Sequence, residues 1–144
     1  MRPRACAWTS VVLALIISFP GHAAGKWIRL QTENFLFVGD ASERQIRELA
    51  QHLEQFRDVM SRALPPAAVM SSTPTIVVVF QTDKSLSPYK PLFEGRPVDV
   101  SGYFQAGSDV NYVAINAESG PTALKVIFHE YAHVLMRNAA GDLP

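Results

Sequence analysis

Thr75-Ile76-Val77-Val78-Val79-Phe80 is an unbroken run of β-branched and aromatic residues. Six such residues in a row suit an interior strand of a sheet, buried on both faces. The rest of the chain must then supply neighbouring strands and a cover. Upstream, Ile46, Leu49, Ala50, Leu53, Phe56, Met60 and Leu64 recur at helical spacing, while Glu43, Arg44, Arg47, Glu48 and Glu54 take the other sides. Asp40 with Glu43, or Ser42 alone, offers an N-cap acceptor for that helix, and Pro65-Pro66 stops it. His52 falls near its polar side and reads as a solvated side chain. Before the helix, residues 27–31 and 35–38 alternate apolar and polar closely enough for two short strands, closed by Gly39-Asp40.

Downstream, residues 81–98 hold Pro88, Pro91, Gly95 and Pro97. They predict a loop or short irregular element, either a flap over a cleft or a solvated connection. Residues 100–105 and 111–115 read as two more strands, joined by the turn Ala106-Gly107-Ser108-Asp109. A last helix opens at Gly120-Pro121, with proline where a missing amide does no harm, and runs to about Asn138 before Gly141. The order is strand, strand, helix, three strands, helix. That predicts an α+β fold: a mixed sheet with one helix packed on it and the last helix against the same sheet.

The first residues belong to a different kind of segment. Arg2 and Arg4 precede an apolar run over residues 11–17, Pro20-Gly21 breaks it, and Ala23 and Ala24 follow. This is the layout of a secretory signal peptide over residues 1–23, and the run is well short of the ~20 residues that span a bilayer. A chain from residue 24 onward keeps 11 basic and 13 acidic side chains and loses Cys6, the sole cysteine. With a formal charge of −2 and no basic stripe, it offers no nucleic-acid surface. Without cysteine it has no disulfide framework and must rely on its core. The expected location is secreted or periplasmic, with no membrane span after signal removal.

The chemistry lies in the last helix, in Phe128-His129-Glu130-Tyr131-Ala132-His133-Val134. His129 and His133 are four apart, so on a helix they project from nearly one face, a turn apart. Glu130 sits about a quarter turn aside. Two imidazoles so placed can hold one metal ion. Zinc at such a site lowers the pKa of its bound water toward ~7, and the neighbouring glutamate takes the proton as general base. Leu124, Ile127, Phe128, Tyr131, Val134 and Leu135 cluster on the side away from the histidines and predict the face that packs on the sheet.

With these residues in view, the chain resembles the N-terminal half of a gluzincin, the thermolysin-like branch of zinc metallopeptidases, and more closely the bacterial peptidase-MA-like domains. The resemblance rests on the His-Glu-x-x-His helix, with support from Glu33 to Ser42, from the Gly102-Tyr103-Phe104 strand and from the order of the elements, and it covers residues 27–144. It implies a zincin-like N-terminal subdomain over residues 24–144, its mixed sheet mostly antiparallel at the edges, with a C-terminal zinc-binding helix. It implies Zn²⁺ as cofactor, His129 and His133 as ligands, Glu130 as catalytic base, and Gly102, Tyr103 and Phe104 as the edge that pairs with a peptide or protein substrate. Metzincins would place glycine at 136 and histidine at 139, where this chain has Met136 and Ala139, so that branch is excluded.

A hydrolytic zinc site has three protein ligands and an open position. After His133 the chain offers Asp142 as its sole carboxylate, past the helix end and poorly placed to fold back. By resemblance the third ligand is a glutamate on a later helix, expected beyond residue 144, so that the 144 residues are read as truncated and inactive by themselves. The alternative class is a non-catalytic envelope binding domain with a vestigial metal site. Glu130 argues against it, since a pure binding domain needs no base there. A closed structural zinc site would need four ligands, and His52 belongs to the exposed helix.

Overall fold

The computed structural model describes residues 26–69 and 73–140; the leader predicted over 1–23 and Asp142 lie outside them. Strands β1 (Ile28–Gln31) and β2 (Phe35–Gly39) form an antiparallel pair, with Ile28 opposite Gly39 and Gln31 opposite Leu36. The Thr32 amide and hydroxyl both donate to the Phe35 carbonyl and close the turn between them. Asn34 then ties this turn to the next helix, its backbone N–H donating to Glu54 at 2.9 Å and its side-chain amide at 2.6 Å.

Helix α1 (Glu43–Ala63) is capped by Ser42, whose side chain accepts from the Gln45 amide while the Gln45 side chain accepts from the Ser42 amide. Asp40 has a different task from the capping role the sequence allowed it. Its carboxylate accepts from the Gln81 N–H at 2.8 Å and ties the end of β2 to the residue after Phe80. The helix stops at Leu64, before the two prolines, and Pro66 opens the single turn α2 (Pro66–Val69).

Strand β3 (Thr75–Phe80) lies parallel to β2 and to β7 (Asn111–Asn116); β6 (Gly102–Gln105) runs antiparallel to β7. The sheet order is β1-β2-β3-β7-β6, three parallel strands with an antiparallel strand at each edge. The mixed α+β architecture with antiparallel edges is therefore observed. The right-hand end differs slightly: β6 begins at Gly102, not at residue 100.

Both long helices, α1 and α4 (Pro121–Ala140), pack on one face of this sheet. Phe35, Phe37, Val77, Val79, Val113 and Ile115 meet Ile46, Leu49 and Leu53 from α1 and Ala123, Ile127, Tyr131 and Leu135 from α4. The opposite face is only partly covered. Short helix α3 (Asp83–Leu86) places Leu86 over Phe80 and Ala114, while Leu36, Val38, Ile76 and Val78 stay half-buried. The expectation that Thr75–Phe80 is buried on both faces is thus corrected: burial alternates along it. A β-branched run announces a strand, but the number of covered faces depends on where the helices dock, which a local pattern does not contain.

Residues 81–98 are short ordered elements in place of an irregular loop. After α3 comes a 3₁₀ turn (Ser87–Tyr89), then the hairpin β4 (Leu92–Phe93) and β5 (Arg96–Pro97). Its two turn residues, Glu94 (φ 50°) and Gly95 (φ 76°), both sit in the left-handed region that a tight hairpin turn requires. Lys90 anchors the base, its ammonium 2.6 Å from Asp83 and 3.7 Å from Asp99. The hydrogen bond that Lys90 donates to the Asp83 carboxylate raises the Lys90 pKa above its ordinary 10.5. A raised lysine pKa stabilises the fold fully below 10.5, and the contribution fades as pH rises through the higher folded value. Lys90→Gln is therefore expected to lower Tm by the same amount at pH 7 and pH 9, and by progressively less in alkali above 10.5. Thermal melts of both proteins across that range check it, and a gap that shrinks already between pH 7 and 9 contradicts it.

Candidate metal centre

Helix α4 starts where Gly120 turns the chain at φ 49° and Pro121 sets the first helical residue. From there its inward stripe fixes which side faces the sheet. Ala123, Ile127, Tyr131, Val134 and Leu135 are buried, and Leu124 and Phe128 are half-buried against the core. Full burial of a side chain such as Ile127 contributes about 1.5–3 kcal/mol, so the four large ones on this stripe resist any large rotation of the helix. His129 and His133 are exposed on the opposite side, and Glu130 is half-buried beside them.

The two imidazoles meet. Their Nε2 atoms are 3.0 Å apart, with ring centroids separated by 4.5 Å and planes at 89°. Nitrogens each about 2.0–2.1 Å from one zinc ion at a tetrahedral angle stand about 3.3 Å apart. At 3.0 Å the two nitrogens are within hydrogen-bonding distance of each other and about 0.3 Å inside that spacing. Among the described residues no third His, Cys, Asp or Glu joins them to make a three-ligand group.

Behind the motif lies an aromatic cluster. Phe128 stacks on Phe56 of α1 (centroids 4.6 Å, planes 5° apart), and the Tyr131 ring is 5.6 Å from Phe35 and 6.4 Å from Phe104. Arg57, next to Phe56, donates from Nη1 to the Tyr131 hydroxyl at 2.8 Å and from Nη2 to the Val69 carbonyl. Burial pushes the Tyr131 phenol above its ordinary 10.0, with the Arg57 charge pulling the other way. The hydroxyl stays neutral and accepts from Arg57. Tyr131 was legible as a packing residue, but its partner lies 74 residues away in the chain. The available signal was chemical: a tyrosine on a buried stripe needs a partner for its hydroxyl.

Of the residues expected to form a substrate edge, β6 brings two toward α4. A Cβ on Gly102 would stand 2.8 Å from the Ala114 carbonyl and 3.3 Å from Ile127 Cδ1, so helix and strand meet there without a side chain between them. Phe104 faces the same way, toward Tyr131. Tyr103 points to the other face of the sheet, where its hydroxyl donates to the Tyr89 carbonyl at 2.7 Å. β6 stands at the end of the sheet order, opposite β1.

Fold and site together define a mixed-sheet α+β domain whose last helix presents two adjoining imidazoles outward, with the half-buried Glu130 beside them. No helix among the described residues is long and apolar enough to cross a membrane. Compared with known protein families, with curated proteins and with solved structures, the chain finds no match in any of the three.

Proposed function

We propose that the chain is the zinc-carrying part of a secreted or periplasmic metallopeptidase, with His129 and His133 as metal ligands and Glu130 as general base. The observation that carries this reading is the 3.0 Å separation of the two Nε2 atoms on an outward face, with Glu130 beside them. Zinc, when bound, supplies an activated water and polarises the scissile carbonyl. This chain's own residues do the remainder. The two imidazoles orient the ion, and the Glu130 carboxylate receives the proton and later passes it to the departing amine. Gly102, Tyr103 and Phe104 are proposed to hold an extended peptide along the open edge of β6, main chain to main chain. The third ligand, expected beyond residue 144, belongs to the same proposal.

A second reading keeps the edge strand and drops the catalysis: an envelope domain that binds partner proteins along β6, with the histidines vestigial. Zinc titration separates the two. The 144-residue chain is expected to hold zinc weakly and cleave nothing, because two ligands leave the ion's geometry unfixed. A longer chain that includes a segment bringing a third ligand should bind one zinc tightly and hydrolyse peptides. Zinc uptake no greater than that of the His129→Ala/His133→Ala double variant, in both forms, would leave only the binding reading.

A further inference from the structure

We infer that Arg57 is the positioning residue of the metal face: held on the Tyr131 hydroxyl and the Val69 carbonyl, it sets the roll of α4 and so the direction in which His129, Glu130 and His133 point. The inference rests on the reading of that face as a metal site. Within the helix, spacing and direction are set by different things. The 3.0 Å spacing of the imidazoles is internal to α4, since both ligands ride on it one turn apart. Rolling the helix leaves that spacing intact. What changes is where the pair points relative to the β6 edge and to any ligand supplied from elsewhere.

Tyr131 is two residues from each histidine, which places it about 200° round the helix, on the diametrically opposite side. A tether there governs roll directly. With side-chain tips about 5–6 Å from the helix axis, a roll of 15° moves an imidazole by about 1.5 Å. Catalytic groups have to be held within about 0.5 Å, and an error of about 1 Å costs roughly 10²-fold in rate.

Packing alone does not supply that precision on this side. The tether borders an open cleft of about 470 Å³ lined in part by Arg57, Tyr131, Val134 and Asn138. Aromatic contacts such as Tyr131 with Phe35 at 5.6 Å tolerate sliding, whereas hydrogen bonds are directional. Arg57 makes one to α4 and one to the carbonyl end of α2 while itself seated on α1. One rigid, planar guanidinium thus joins three helices at the back of the site.

The test uses Cu²⁺ on the ¹⁵N-labelled 144-residue protein, because imidazole pairs bind it well and it broadens nearby amide resonances. Tyr131→Phe removes one hydroxyl and keeps the ring; Arg57→Ala removes the whole tether; Arg57→Lys restores a donor. His129→Ala/His133→Ala serves as the blank. Tyr131→Phe and Arg57→Ala are expected to keep Cu²⁺ affinity within about twofold of wild type, because the ligand spacing is internal to the helix. They are expected to redistribute the broadening between amides on the two flanks of α4, increasing it on the flank toward which the pair rolls and decreasing it on the other. Arg57→Lys should move the pattern back toward wild type. If Arg57→Ala does not fold, the Tyr131→Phe comparison carries the result. An unchanged pattern in Tyr131→Phe and in whichever Arg57 variants fold overturns the positioning role and leaves the metal reading intact. A wild-type protein that holds neither Cu²⁺ nor Zn²⁺ at the pair overturns the metal reading, and this inference with it.

Discussion

Gly39→Ala is expected to lower stability by at least about 3 kcal/mol, beyond the usual 1–3 kcal/mol of an overpacked core site, because the obstacle is backbone. A Cβ at Gly39 would lie 2.0 Å from the Val79 carbonyl oxygen and 3.0 Å from its Cα. Gly39 is the last residue of β2 and the parallel partner of Val79 in β3. The Ala41 amide also reaches that same carbonyl, at 3.4 Å. The oxygen has no side-chain freedom with which to step aside, so β2 and β3 must separate. Against a total of 5–15 kcal/mol for a domain of this kind, such a loss removes a large share of the margin. Gly95→Ala is the control. Gly95 has φ 76° but nothing within 4 Å of the added Cβ, so only the left-handed backbone penalty of about 1–2 kcal/mol applies. Urea denaturation followed by circular dichroism ranks the two. A Gly39→Ala midpoint at or above that of Gly95→Ala would show that the strand pair accommodates a methyl group, contrary to the geometry.

That glycine also illustrates what the sequence could and could not convey. Gly39-Asp40 read as a strand terminator, and β2 does end there. The reasons are tertiary: close approach to Val79 at Gly39, and a carboxylate at Asp40 that binds the Gln81 amide. Element order was legible because hydrophobic period changes from two to 3.6 along the chain, and the β3 and α4 limits follow from Thr75, Phe80 and Pro121. The single-sided packing of β3 was not legible, since Ile76 and Val78 look the same in sequence whether or not a helix covers them. Residues 81–98 looked irregular because four turn-forming residues mask a two-residue hairpin and an ion pair at Lys90. At the site, the outward pair His129 and His133 and the inward stripe of α4 follow directly from spacing. Arg57 had a local signal that went unread: four residues after Leu53 and three before Met60, it falls on the apolar stripe of α1, where the other arginines of that helix do not.

Glu130→Gln, in a chain carrying all three ligands, is expected to reduce peptide hydrolysis by about 10²–10⁴-fold with zinc content unchanged. The substitution keeps size and shape and removes only the ability to take a proton. Glu130 sits beside the imidazole pair, a quarter turn from the ligand line, so it does not compete for the ion. His129→Ala and His133→Ala would remove the two proposed ligands and should lose metal and activity together. The contrast is informative because α4 holds all three residues in one rigid turn, backed by the Phe56–Phe128 stack. A general misfolding of that helix would depress all three variants alike, in both readouts. Metal content by atomic absorption and cleavage of a fluorogenic peptide, measured on the same preparations, separate the cases. Zinc lost equally from Glu130→Gln and the histidine variants would make Glu130 a ligand or a structural residue, and hydrolysis retained in Glu130→Gln would place the base elsewhere.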